Sequence, residues 1–380
     1  MRIIQLVILI SSVYNSLQHN EDELMKLLPE SLINATRKIK PHPDVGKDIY
    51  QLLHDYGYPV ETHYVFTEDG YVLRMQRILN GKNMVDTEKT KPAVLLMHGL
   101  LSGSADWLIM GPNKSLGYML ADAGFDVWLG NSRGSTWSRN HLKLDPTVDA
   151  KKFWDFSFED CGHYDLPATI DHIIEKTGQD RIFYIGHSQG TSQYFAMASL
   201  RPEYNDKIAL MTALAPVAYL GHLSSPWMRF AMKYMDILSI VNISNNLLSK
   251  VFQNLLPVLA TNDPAGVSFK MVKHLLQLVK SGHFRRYDYG LQNLIKYNSL
   301  TPPNFNMSAA TAPVALYYAQ NDFYVAIEDV ERLASEMPNV VKKKVMEFEK
   351  FNHVDFIMAK HIDELLNNEV VEFMREYLSE

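Results

Sequence analysis

Cysteines, basic clusters and long apolar runs are all scarce in this chain. Its 380 residues include one cysteine, Cys161, so no disulfide can form within the chain. The net charge is -6, and the longest basic run is residues 342–344. Nucleic-acid binding needs a basic surface that neutralises phosphates, so we do not expect it. No apolar segment approaches the roughly 20 residues needed to cross a bilayer, so no transmembrane anchor is predicted.

The N-terminal segment has the pattern of a secretory signal peptide. Arg2 precedes an apolar run over residues 3–10, which Gln5 alone interrupts, and small and polar residues follow. We predict a signal peptide over residues 1–18, with a buried N-terminal strand as the alternative. Asparagines in Asn-x-Ser/Thr sequons, candidate glycosylation sites, agree with a secretory route and are Asn34, Asn113, Asn242 and Asn306. The predicted destination is extracellular, with the lysosome as the alternative.

Short apolar segments typical of β-strands alternate with helical patterns along most of the chain. The predicted strands are residues 61–66, 71–77, 93–97, 125–129, 181–185, 208–214, 314–318 and 345–348. The turn at residues 68–70 joins the first two into a hairpin. Strands separated by helix-length segments favour a mostly parallel sheet with helices on both faces, so the predicted class is α/β.

One long stretch departs from this alternation. Residues 217–312 carry helical patterns and are predicted to form an inserted cap, while residues 19–216 and 313–380 form the core. Ligands of open parallel sheets bind beyond the carboxyl ends of the strands, where such an insertion would lie. The apolar helical series at residues 228–259 favours a lid with an apolar inner face. The alternative is that these are ordinary core helices.

Residues 186–190 spell Gly-His-Ser-Gln-Gly between a predicted strand and a predicted helix at residues 191–200. In that setting G-x-S-x-G is the nucleophile elbow of serine hydrolases. The turn strains the serine backbone, and glycines on either side leave room for it. Ser188 is therefore the predicted nucleophile.

A second copy of the pattern, Gly-Asn-Ser-Arg-Gly, occupies residues 130–134. It also follows a predicted strand, but residues 135–140 show no apolar helical period. We interpret this copy as a loop at the carboxyl edge of the sheet rather than a second nucleophile.

A serine nucleophile needs a base and a group that orients the base. In α/β-hydrolases these follow in the order serine, acid, histidine. Asp322 comes soon after the predicted strand 314–318, and His353 follows the next predicted strand. Asp322 and His353 are the predicted partners, whereas Asp355 is a rival carboxylate that follows the histidine. The alternatives are an aspartate that caps a helix and a surface histidine.

The anionic intermediate of ester hydrolysis needs fixed hydrogen-bond donors. The predicted donors are the main-chain N–H groups of Gln189, after the nucleophile, and Leu100, after strand 93–97. His98 is interpreted as a structural hydrogen-bonding residue. The sequence contains neither H-E-x-x-H nor a cysteine pair, so neither a metal nor a cofactor is expected.

From Pro43 to near the C-terminus, the chain resembles the acid lipases of the gastric and lysosomal lipase family, in an insect-like branch. The motifs that carry the resemblance are residues 56–59, 67–71, 98–101, 130–134, 153–158, 164–168, 186–190, 281–282, 287–290 and 352–356. The resemblance implies an α/β-hydrolase core with a helical cap and lid, acting on triacylglycerols or cholesteryl esters at an oil–water or membrane surface.

By the same motifs, the triad of the family corresponds to Ser188, Asp322 and His353, with Leu100 and Gln189 as oxyanion donors. This chain departs from the vertebrate members in having no cysteine in the cap.

Overall fold

The computed structural model describes residue 44 and residues 46–82, 90–223 and 266–379. The predicted signal peptide, the sequons at Asn34 and Asn242, and the apolar series at residues 228–259 lie outside the described residues. These features therefore stay predictions.

The described strands belong to one sheet. They are β1 Val60–Phe66, β2 Tyr71–Ile78, β3 Ala93–Met97, β4 Asp126–Leu129, β5 Asn140–His141, β6 Ile182–His187, β7 Ile208–Leu214, β8 Val314–Tyr318 and β9 Val340–Val345. Their spatial order is β1-β2-β4-β3-β6-β7-β8-β9, with β5 paired to β2. From β4 to β9 all neighbours are parallel, whereas β2 is antiparallel to β1, β4 and β5. The predicted, mostly parallel sheet is confirmed.

Helices cover this sheet. They are α1 Ile49–Tyr56, α2 Leu116–Asp122, α3 Ala150–Phe153, α4 Phe158–Asp160, α5 Leu166–Thr177, α6 Gln189–Leu200, α7 Phe269–Ser281, α8 Asn293–Tyr297, α9 Ile327–Glu336, α10 Asp355–Met358 and α11 Asn368–Ser379. Every residue of β3, β4, β6 and β8 is buried. Strands buried on both faces are continuously apolar, which explains why the sequence pattern located them.

The last predicted strand, residues 345–348, is wrong, because the structure has β9 at Val340–Val345. This strand ends the sheet, and three of its six residues are lysines. Lys342 lies 2.8 Å from Glu369, and Lys343 lies 2.6 Å from Glu331. Charged side chains are common on edge strands, where they discourage pairing with other chains. The apolar pattern at residues 345–348 therefore did not locate this strand, which is rich in lysine.

The described ends of the segment between β7 and β8 are hydrogen-bonded to other parts of the core. Val217 donates its N–H to Thr191 Oγ1 at 2.7 Å and accepts a hydrogen bond from Ser192 Oγ at 2.6 Å. On the returning side, Ser268 caps α7 and also donates its hydroxyl to the carbonyl of Phe156. The cap boundaries 217–312 remain a prediction. Val217, the first residue of the predicted cap, is hydrogen-bonded to α6, the helix that follows Ser188.

Candidate active site

Ser188 occupies a strained turn between β6 and α6. Its φ is 52° and its ψ is -117°, a conformation that non-glycine residues rarely adopt. A Cβ on Gly186 would lie 2.9 Å from the carbonyl carbon of Gly190, and one on Gly190 would lie 2.4 Å from the Met97 oxygen. Side chains at these two positions would collide with backbone. The close approach of β6, α6 and β3 therefore accounts for both glycines of the motif.

The structure brings the three predicted triad residues together. His353 Nε2 lies 2.7 Å from Ser188 Oγ, and His353 Nδ1 lies 2.8 Å from Asp322 Oδ2. The other oxygen of Asp322 accepts hydrogen bonds from the N–H groups of Tyr324 at 2.8 Å and Val325 at 3.0 Å. A carboxylate only accepts, so the ring proton lies on Nδ1 and Nε2 is free to take a proton from the serine.

The rival carboxylate does not face the imidazole. Asp355 Oδ2 accepts a hydrogen bond from the N–H of Asn352 at 2.8 Å and so stabilises the turn that carries His353. In contrast, Asp322 is only 5% exposed and its carboxylate meets the ring directly. Of these two aspartates, the geometry of an orienting acid belongs to Asp322.

The two predicted oxyanion donors lie on segments adjacent to Ser188. Gln189 begins α6, whose N-terminal end carries positive partial charge that favours an anion. Leu100 belongs to the loop after β3, and a Cβ on the preceding Gly99 would lie 3.3 Å from Ser188 Cβ. This loop is strained at Leu101, whose φ is 65°. The side chain of Gln189 also reaches α7, since its Nε2 lies 3.0 Å from the sulfur of Met271.

The second Gly-x-Ser-x-Gly copy forms a buried loop with structural hydrogen bonds. Ser132 donates its N–H to His98 Nε2 at 3.1 Å, and its hydroxyl accepts a bond from Gln193 Nε2 at 2.9 Å. His98 Nδ1 in turn donates to the Gly99 carbonyl at 2.8 Å. Burial lowers the pKa of His98 to about 4, so it is neutral near pH 7. Because His98 Nε2 accepts the main-chain N–H of Ser132, its lone pair is not available to take a proton from the Ser132 hydroxyl.

The role of Arg133, the next residue of this loop, was not predicted from the sequence. Its buried guanidinium lies 2.6 Å from Asp165 and 2.6 Å from Asp69, and 4.0 Å from the centre of the Tyr71 ring. The three partners come from the β1–β2 turn, from β2 and from the segment before α5. Arg133 thus fixes the loop at the carboxyl edge of β4.

Two of the four predicted glycosylation sites lie among the described residues. Asn113 and Asn306 are exposed, as a glycan would require. Within residues 46–82, 90–223 and 266–379, no group of three His, Cys, Asp or Glu residues could hold a metal ion. Over the same residues, no helix has the length and apolarity to span a membrane.

The sheet order and the strand–serine–helix turn define the class of protein, an α/β-hydrolase. Residues 92–359 match the family profile described as "alpha/beta hydrolase fold", and residues 49–111 match "Partial alpha/beta-hydrolase lipase region". The solved structure of the monoacylglycerol lipase of Paleococcus ferrophilus covers 80% of this chain and 99% of its own, with a TM-score of 0.50. At 22% sequence identity, this likeness establishes the fold alone.

More similar relatives identify the family to which this α/β-hydrolase belongs. Lipase 1 of Drosophila melanogaster is 39% identical over 362 residues, which span 87% of this chain and 80% of that protein. Gastric triacylglycerol lipase of Bos taurus is 38% identical over 376 residues, which span 89% of this chain and 94% of that protein. The chain belongs to the acid lipase family of gastric and lysosomal lipases, and it is a carboxylic ester hydrolase of the lipase type. The resemblance found in the sequence is confirmed.

Proposed function

We propose that this lipase hydrolyses triacylglycerols or cholesteryl esters through an acyl-enzyme formed on Ser188. The observation that carries the proposal is the continuous hydrogen-bonded series from Ser188 Oγ through His353 to Asp322, with distances of 2.7 and 2.8 Å. The substrate class is supported by the printed name of the bovine relative, a triacylglycerol lipase. No cofactor takes part in this chemistry.

Acylation begins when His353 Nε2 takes the proton of Ser188 and the serine oxygen attacks the ester carbonyl. Negative charge then develops on the carbonyl oxygen, and the N–H groups of Leu100 and Gln189 stabilise it. His353 next gives its proton to the departing alcohol, which leaves the fatty acyl group on Ser188. Throughout, the Asp322 carboxylate keeps the imidazole in the Nδ1–H form and stabilises its charged state.

Deacylation repeats these steps with water as the nucleophile. His353 takes a proton from water, the hydroxide oxygen attacks the acyl carbon, and the same two N–H groups hold the oxyanion. The proton returns to Ser188 as the fatty acid leaves. The enzyme is regenerated without any external oxidant, reductant or metal.

The proposed place of action is a lipid surface outside the cell. Large apolar or aromatic side chains within two residues of Asp322 and His353 are exposed. They are Phe323 (50% exposed), Tyr324 (36%) and Val354 (44%). Apolar side chains exposed around a site favour contact with lipid. Secretion is supported by the signal pattern at residues 1–18 together with the four sequons, and the lysosome remains the alternative.

The test is to assay purified protein on emulsified triacylglycerol, emulsified cholesteryl ester and a dissolved short-chain ester. We expect hydrolysis of at least one emulsified ester, with Ser188→Ala reducing turnover about a millionfold, as in other serine hydrolases. The matched control, Ser132→Ala, should keep most of the activity. Hydrolysis of the dissolved ester alone would identify a carboxylesterase, and lipid binding without hydrolysis would identify a non-catalytic lipid-binding protein. Either result contradicts the proposal.

A further inference from the structure

His187, the residue before the proposed nucleophile, takes no part in the steps above, yet it lies directly against the proposed base. Its side chain is 7% exposed. Its ring centre lies 5.1 Å from that of His353 and 6.4 Å from that of Phe356. Its Nε2 lies 3.0 Å from the main-chain carbonyl oxygen of His353. One histidine therefore contacts both the ring and the backbone of another.

The partners of His187 fix its proton. A carbonyl oxygen only accepts, so Nε2 carries the hydrogen and Nδ1 carries a lone pair. Nδ1 has no hydrogen-bond partner among the described residues, and a Cβ on Gly99 would lie only 3.1 Å from it. A second proton on this ring would point at that backbone with no acceptor to receive it. The geometry therefore requires a neutral imidazole in the Nε2–H form.

The surroundings oppose a charge on His187 from each side that the structure describes. The titratable groups that face it are His353 and His98, whose charged forms would repel a charge on His187, whereas Phe356 is apolar. Burial in this setting lowers the pKa of His187 to about 3, with smaller contributions from His353 and His98. His187 is thus neutral near pH 7 and adds no positive charge beside the proposed base.

We propose that His187 is a positioning residue for His353. Bonds to Ser188 and Asp322 orient the His353 ring at its two nitrogens, but the ring can stay between them only if the backbone that carries it is fixed. The Nε2–H of His187 holds that backbone at its carbonyl, and the two rings pack together. Because His187 is the last residue of β6, the base is held by the residue next to the nucleophile. This inference rests on the proposed triad.

The test compares His187→Phe, which keeps a ring but has no N–H, with His187→Gln, whose amide N–H can reach the same carbonyl. We expect His187→Phe to lower kcat by up to about 10²-fold with KM little changed, the cost of a misplacement of roughly 1 Å. His187→Gln should restore most of kcat. The control is His172→Phe on α5, which should leave both constants unchanged.

A pH profile separates positioning from simple packing. The acid limb of kcat/KM reports the free-enzyme pKa of the base. If His353 is displaced from the Asp322 carboxylate, its charged form loses support, so the limb should move to lower pH in His187→Phe and return in His187→Gln. Thermal unfolding and circular dichroism check that each variant is folded.

Two results would overturn the inference. One is a folded His187→Phe enzyme with the wild-type kcat and acid limb. The other is His187→Phe and His187→Gln enzymes that lose equal activity with the limb unmoved, because that result indicates packing alone. Activity retained by Ser188→Ala would instead overturn the triad itself, so the two failures are distinguishable.

Discussion

Replacing Asp322 by asparagine should move the ring proton of His353 from Nδ1 to Nε2 without changing the shape of the site. One oxygen of Asp322 accepts hydrogen bonds from two main-chain N–H groups, and the other faces His353 Nδ1 at 2.8 Å. The amide of asparagine has one acceptor and one donor end. Its oxygen is retained by the two N–H groups, so its NH₂ must face Nδ1. The imidazole then becomes the Nε2–H form, which cannot accept the proton of Ser188.

The size of the loss follows from this wrong tautomer. In serine proteases the same substitution lowers kcat by about 10⁴, which corresponds to about 5 kcal/mol of transition-state stabilisation. The assay is steady-state hydrolysis of a dissolved short-chain ester, with thermal unfolding to show that the variant is folded. Asp355→Asn is the matched control and should keep most activity. A mild effect at Asp322 with a severe one at Asp355 would show that Asp355, and not Asp322, orients the base.

Three further predictions concern the stability of the fold. Arg133→Met should lower the free energy of unfolding by about 3–5 kcal/mol, as measured by urea titration, because the buried carboxylate of Asp165 loses its countercharge. Gly190→Ala should lower the free energy of unfolding more than Gly178→Ala does, because only at position 190 would the added Cβ lie 2.4 Å from a backbone oxygen. For Gly178→Ala, left-handed strain alone predicts a loss of about 1–2 kcal/mol. Equal losses in the two variants would contradict the geometry of the elbow. The hydrogen bond that His222 Nδ1 donates to Asp329 raises the pKa of His222, so its stabilising effect is present below about pH 6.5 and is lost as pH rises through the raised value. Since His222 is largely exposed, His222→Asn should lower the free energy of unfolding by at most about 1 kcal/mol at pH 5 and should not lower it at pH 9. Urea denaturation at both pH values measures this difference.

The parts of the fold that the sequence predicted well are those where local pattern and burial agree. The strands β3, β7 and β8 were predicted with the bounds that the structure has, because their runs of apolar residues are buried in the middle of the sheet. The edge strand β9 was misplaced because lysines need not be buried there. The two-residue strand β5 has no pattern long enough to recognise.

The candidate site divides in a similar way. Ser188 could be found because its strand, turn and helix are consecutive in sequence, and the order of the family supplied Asp322 and His353. The contacts of His187 and Arg133 could not be found from local pattern. His187 meets the backbone of a residue 166 positions later, and Arg133 meets an aspartate 64 positions earlier. Such contacts depend on how distant segments pack, so only the three-dimensional structure reveals them.

The proposed mechanism depends on Ser188 as the nucleophile, and a covalent label can identify the reactive serine. A long-chain alkyl phosphonate ester should inactivate the enzyme by phosphonylating its nucleophile, and trypsin then separates the two candidate serines. Ser188 lies in the peptide of residues 182–207 and Ser132 in that of residues 115–133. We expect complete inactivation with one phosphonate per chain, located by mass spectrometry on Ser188. An adduct on Ser132, or an inactivated enzyme with Ser188 unmodified, would contradict the account.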